Sequence, residues 1–212
     1  MYVRQLEEQT LTLRVSGKLW MRSLVMSDLE TNSEWSHLLG RAMAGKLKGK
    51  SLQPLVTDMM TWAAWKTEFP ETTVLNMPPT SREFSADFYR DPTKFVFGFQ
   101  AGGSAWALPM QSMLNHPVHQ FAIDGESLLA TFDKASTATR LFSVKVDDRE
   151  LDFKQVDDQQ MQDTQTGSRW RLSTGEAIAG ELKGKRLTQR VGIMSFRKAW
   201  QNFHPDSKDV EF

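Results

Sequence analysis

Soft and imidazole side chains recur at a spacing of three in one stretch, Met110, Met113, His116 and His119. Thioether sulfur and imidazole nitrogen are ligands that suit copper. The same spacing also describes a short amphipathic segment with its methionine face in a core, and no Cys or carboxylate completes a ligand set, which favours the core reading. Asp28, Glu30, Asn32 and Glu34 alternate like the opening of a calcium loop, yet Ser33 and Leu39 stand at its sixth and twelfth positions, where such a loop needs Gly and Glu. Turn chemistry accounts better for that run. Lys46, Lys48 and Lys50, with Lys183, Lys185 and Arg186, offer charge to a phosphate or an acidic glycan, but basic turn tips are usually just solvated.

Nucleophilic catalysis finds little support. The chain has no Gly-x-Ser-x-Gly elbow and no Gly-rich phosphate loop. Of His37, His116, His119 and His204, only His37 adjoins a hydroxyl, Ser36, and neighbours on a strand point to opposite faces. Carboxylates distant in sequence can still meet in a fold, so a hydrolase-like site invisible to sequence stays open as an alternative. Seven tryptophans invite a stacking surface for a ligand. Trp20, Trp62 and Trp106 are the better surface candidates, because Trp35 with Trp170 and Trp65 with Trp200 occupy matched positions in an internal repeat and read as core.

Bulk composition narrows the partners. Lys and Arg total 26, as do Asp and Glu, so the chain lacks the basic footprint of a nucleic-acid binder. The absence of cysteine removes disulfides, thiolate metal sites and cysteine nucleophiles. No apolar run approaches the length of a membrane span, and MYVRQLEEQTLTLRV has no h-region of a signal peptide. No cofactor is expected, and the partner is an unidentified ligand or protein.

Residues 28–75 match residues 163–210 at a constant offset of 135, with 18 of 48 positions identical. Composition alone gives about three such matches. The identities cluster: Asp28, Thr31, Ser33 and Trp35 recur as Asp163, Thr166, Ser168 and Trp170, and Gly40, Ala42, Ala44 and Gly45 recur as Gly175, Ala177, Ala179 and Gly180. Leu47-Lys48-Gly49-Lys50 and Leu52 recur likewise, as do Ala64, Trp65 and Pro70. Upstream, residues 6–13 correspond to 146–153 at an offset of 140, so the second copy lacks five residues found around Ser16 to Leu24.

Alternation of Leu11, Leu13 and Val15 with polar residues predicts a strand. The polar stretches at 28–33 and 163–168 predict hairpin turns, and the Lys-Gly pairs at 48–49 and 183–184 a further hairpin in each copy. Trp62, Trp65 and Phe69, and the stripe Ala199, Trp200 and Phe203, predict one short helix per copy, ended by Pro70 or Pro205. In the unrepeated stretch, Ala101-Gly102-Gly103 and Asp124-Gly125 are hairpin signals. The expectation is a mostly β, α+β protein of two pseudo-repeated β-meander lobes, an abbreviated first lobe at 1–90 and a complete second lobe at 91–212.

Ser16-Gly17-Lys18-Leu19, Leu24-Val25-Met26, Trp35-Ser36, the Gly-x-Ala-x-Ala-Gly-x-Leu-x-Gly run and Trp62-x-x-Trp65 with its proline resemble the bacterial and archaeal family known as domain of unknown function 3179. The resemblance covers nearly the whole chain, with Gly103 to Pro109 and His116 similar to that family's opening block. Members typically carry Cys-Pro-Leu-Cys where Asp133-Lys134-Ala135-Ser136 stands here, so thiol redox or metal chemistry is not available to this lobe. The resemblance also implies an extracytoplasmic setting, and that the first lobe begins past its opening block at Met1. About sixty further residues encoded upstream would complete it. A lobe without that block exposes a strand edge, where a homodimer could form. The leading expectation is a non-catalytic binding or interaction protein; a metal- or redox-associated protein that has lost its thiols is the alternative.

Overall fold

The structure, a computed structural model, describes residues 1–74 and 91–212. It is mostly β, with three short α-helices among the described residues: α1 (Trp62–Glu68), α2 (Met110–Asn115) and α3 (Arg197–Phe203).

Two four-stranded sheets form the centre. In one, Phe95–Ala101 and Ser104–Pro109 make a hairpin over Gly102-Gly103, flanked by Gly192–Phe196 and, in parallel, by Lys208–Asp209. In the other, Glu126–Asp133 lies between Val118–Ile123 and Ala138–Ser143, with Gln189–Arg190 at the far edge. Period-two alternation explains how Glu126–Asp133 serves two cores. Leu128, Ala130 and Phe132 meet Phe97, Phe99, Leu108 and the α2 methionines on one face. Leu129, on the opposite face, joins Phe142 and Trp170.

The remaining strands form two antiparallel meanders in sequential order. The first comprises Leu13–Trp20, Ser23–Asp28, Glu34–Ser36 and Arg41–Ala44; the second comprises Phe153–Gln155, Gln160–Asp163, Arg169–Arg171 and Ala177–Ala179. A two-residue ladder precedes each, Gln5–Leu6 with Gln9–Thr10 and Lys145–Val146 with Arg149–Glu150, in line with the offset of 140. The surplus residues of the first copy lengthen its opening hairpin, which bulges between Val15 and Leu19 and turns at Met21 and Arg22. Leu13–Trp20 is the outer strand of that sheet, and Val15 and Leu19 on it are 68% and 71% exposed.

Positions matched at offset 135 make the same hydrogen bonds. Trp35 Nε1 donates to Asp28 Oδ2 at 2.8 Å, and Trp170 Nε1 to Asp163 Oδ2 at 2.9 Å. Thr31 N and Thr166 N donate to the other carboxylate oxygen of the same aspartates at 2.5 and 2.6 Å. Ser33 Oγ and Ser168 Oγ each accept from a leucine amide fourteen residues on, Leu47 or Leu182, at 3.0 Å. Gly45 and Gly180 pass so close to those serines that an added Cβ would lie 2.7 Å from the serine Cα, at φ of +87° and +92°. That fixes glycine at both places for two reasons at once.

The helices cross over. Following the first meander, α1 packs on the central sheet, on the side that faces the second meander: Thr61 N donates to Ser136 O at 2.9 Å, and Arg140 pairs with Asp58 and Glu68. Following the second, α3 returns to the first, where Phe203 packs edge-on to Trp20 at 4.8 Å. These contacts cross the division at residues 90 and 91.

Candidate functional site

The crossing of the helices leaves two clefts. The first lies between Leu38, Leu39 and Leu55 of the first repeat unit and Phe99, Ile193 and Trp200, and encloses about 520 Å³. Its walls are mainly apolar. Gly98 forms part of the floor because Trp200 presses flat on it; a Cβ there would lie 2.4 Å from the indole. The polar residues of the lining include Gln100, Arg190 and His204. Arg190 is paired with Glu126 at 2.9 Å, and the His204 ring lies on Trp200 at 4.2 Å. Burial pushes the His204 pKa below the ordinary histidine value, so the ring is neutral at pH 7.

The second cleft runs between α1 and the second meander. Its two lobes, about 310 and 550 Å³, share Asp133, Ala135, Arg171 and Ser173. Asp133 caps its own turn, accepting from Ala135 N at 3.1 Å, from Ser136 N at 3.3 Å and from the Ser136 hydroxyl. Arg171 is only loosely held, 3.9 Å from Glu176, which Arg186 also engages at 3.1 Å. The turn Asp133 to Ser136 is the segment that the resemblance sets against a Cys-Pro-Leu-Cys run.

The residues singled out in the sequence do not assemble into either cleft as a group. Met110 and Met113 are buried in the central core, where Thr139 Oγ1 lies 3.4 Å from the Met110 sulfur. His119 stacks on Phe212 at 4.1 Å and its Nε2 meets Glu211 O at 2.7 Å, while His116 lies 6.0 Å from the Phe212 ring. Among the described residues no group of three or more His, Asp or Glu side chains is placed to hold a metal ion. Trp20 and Trp62 are surface residues, 38% and 49% exposed. Trp106 differs from expectation, since it is half-buried against the central core, with Lys208 Nζ 5.3 Å over its ring and its Nε1 shut away without a partner among the described residues. Pairing with Lys208–Asp209, a strand a hundred residues later, covers it.

Asp28, the first residue of the calcium-like run, is an acceptor hub within the protein. Lys50 and Lys185, from the basic turns, pair with Glu7 and Asp147 in the short ladders. Arg140 was not singled out by sequence. It is 2% exposed, grips Asp58 through Nε and Nη2 at 2.9 Å each, and Gln189 also donates to Asp58 at 2.9 Å. The one signal in sequence is a lone cation in the run Ala138 to Phe142.

The architecture is therefore that of a mostly antiparallel β protein, whose two meanders flank a central pair of sheets and whose short helices roof two clefts. The chain belongs to the family described as Protein of unknown function (DUF3179), which matches it over residues 1–207. No curated protein and no solved structure matches it.

Proposed function

We propose that this protein binds a small molecule without transforming it, in the apolar cleft between the first meander and Trp200. The observation that carries this reading is the cleft's make-up: about 520 Å³, mainly apolar walls, and a few polar groups among the lining. Small-molecule sites have that size and composition. A ligand with an apolar body, chain or ring, would lie against Leu38, Leu39 and Trp200, with its polar end towards Gln100 and Arg190.

The chemistry at hand favours binding over catalysis. The His204 side chain, the base in this cleft, makes no hydrogen bond among the described residues, and its ring lies against Trp200. A general base needs a proton donor within reach and an orienting group behind it.

The test is a titration of the full chain with decanoate, followed by calorimetry and by amide shifts. Saturable binding that moves the signals of Leu39, Gly98 and Trp200, and that Leu39→Glu abolishes while the fold is kept, is the expected result. Absence of saturable binding by decanoate and by a neutral aromatic probe, indole, would refute the reading.

A further inference from the structure

We propose that the second cleft binds a small hydroxylated carboxylate of the sugar-acid type, with Arg171 taking the carboxylate. This site is separate from the apolar cleft and stands independently of it.

Charge is the first consideration. Three ionised side chains line the cleft, Asp133, Glu68 and Arg171. Asp133 is occupied by its own turn, with two amides and a hydroxyl directed at it. Glu68 is drawn 3.5 Å from the buried Arg140. Arg171 is the cation among the three, and it has capacity left, because its carboxylate neighbour is 3.9 Å away and is shared with Arg186. A guanidinium carries five donors in a planar fork that fits a carboxylate in two-point fashion. The cation of this cleft is thus free to take a flat anion in two-point fashion.

Hydroxyl recognition is the second consideration. The side chains of Ser173, Gln159 and Gln160 line the cleft beside Arg171 and make no hydrogen bond within the described protein. Amide ends and a hydroxyl both donate and accept, which is what a ligand bearing several hydroxyls needs.

The third consideration comes from the first meander. At offset 135, Arg171, Ser173 and Thr174 correspond to Ser36, Leu38 and Leu39. The backbone is bonded alike in both places, with Gly40 N donating to Ser36 O and Gly175 N to Arg171 O, each at 2.9 Å. The scaffold therefore accepts apolar residues in place of Ser173 and Thr174 and a small polar one in place of Arg171, so the set in the second meander is not a requirement of the fold. It is explained by what the cleft holds.

Calorimetric titration of the full chain with sodium D-gluconate tests the proposal, with glucose, acetate and inorganic phosphate as comparison arms. Gluconate is expected to bind saturably with a dissociation constant of about 1 mM or tighter, and each comparison arm at least about tenfold more weakly. Arg171→Gln should cost about tenfold or more, and Arg171→Lys should recover only part of it, because an ammonium is a point charge without the fork. Ser173→Leu, which installs the residue found in the first meander, should weaken binding to a similar degree. Arg171 is half-exposed, so these variants are expected to keep the wild-type melting temperature. Leu39→Glu in the other cleft should leave gluconate binding unchanged. No saturable heat up to about 20 mM gluconate, glucose or phosphate binding as tightly as gluconate, or full affinity in Arg171→Gln would each overturn the proposal.

Discussion

Replacing Asp28 with alanine should open the first meander while the rest of the protein stays folded. The Asp28 carboxylate accepts from Trp35 Nε1 at 2.8 Å, Thr31 N at 2.5 Å, Thr31 Oγ1 at 2.8 Å and Ser33 N at 3.2 Å. Ser33 and Trp35 are fully buried, so no water replaces the lost acceptor. Each buried donor left without a partner costs about 1–3 kcal/mol, and two such donors plus the half-buried Thr31 amide give roughly 3–6 kcal/mol. The core around them is small, with only Leu11, Trp35, Ala42 and Leu52 buried in it. A unit with so few buried contacts opens on its own below the global unfolding energy. Asp163→Ala removes matching bonds but sits in a core of eleven buried residues continuous with the central sheet, so its cost should fall on the whole fold. Hydrogen exchange read by mass spectrometry separates the two. Asp28→Ala should lower protection over residues 1–55 by about 3 kcal/mol or more and spare residues 126–143. A loss below about 1 kcal/mol, or one spread evenly along the chain, would refute the reasoning. Burial pushes the Asp28 pKa up, but the bonds from Trp35, Thr31 and Ser33 outweigh it and leave the value lowered. A carboxylate lowered on folding stabilises above its unfolded value of 3.8, and that contribution disappears as pH falls through the folded value. Asp28→Asn should therefore flatten the acid side of the stability profile.

Gly45→Ala should destabilise more than Gly49→Ala, as read from urea midpoints. Both have φ near +90°, which costs an alanine roughly 1–3 kcal/mol, but only at Gly45 does the new methyl also meet the Ser33 backbone. Asp58→Ala should cost about 3 kcal/mol by leaving the buried Arg140 charge with Glu68 alone at 3.5 Å, whereas the double change Arg140→Met with Asp58→Leu should cost less than the single one. Equal melting temperatures for the two would show that the pair is not desolvated. His119 and His204 both have pKa values lowered by burial from 6.5. The unfolded chain then takes up protons that the folded one refuses, so stability should be intact above pH 6.5 and decline below it. His204→Phe should reduce that slope between pH 6.5 and 5, and an unchanged slope would remove His204 from the account.

The repeat made much of the fold legible, because its identities sit where the backbone is constrained. Asp28, Thr31, Ser33 and Trp35 recur since each occupies one place in a bonded hub, and both hub tryptophans are fully buried. Recurrence was a poorer guide at the second tryptophan pair. Trp200 is buried against Val96 and Ala107, while Trp65 is half-exposed and its Nε1 donates to Thr72 Oγ1 at 2.9 Å. The helices keep their sequence, but they cross to different neighbours, and periodicity reports only local spacing. The clefts were illegible for the same reason. Arg140 meets Asp58 across 82 residues and Leu39 shares a wall with Trp200, and neither pairing leaves a mark on the spacing of nearby residues.

The differences between the two copies carry as much information as the identities. The hub aspartate, threonine, serine and tryptophan are unchanged, so each meander presents its third strand and the following turn in the same way. On that fixed frame the cleft-facing positions diverge completely, from Leu38-Leu39 to Ser173-Thr174. If those positions served only packing, substitutions of similar volume and polarity would be expected, since cores tolerate swaps that keep both. Leucine to serine keeps neither. The polarity change coincides with an exchange of surroundings, from Phe99, Ile193 and Trp200 to Asp133, Arg171 and the Ala64, Thr67 and Glu68 side of α1. One backbone frame thus presents leucines to one cleft and hydroxyl side chains to the other, and covering those hydroxyls with an apolar group would carry a desolvation cost that the leucines do not.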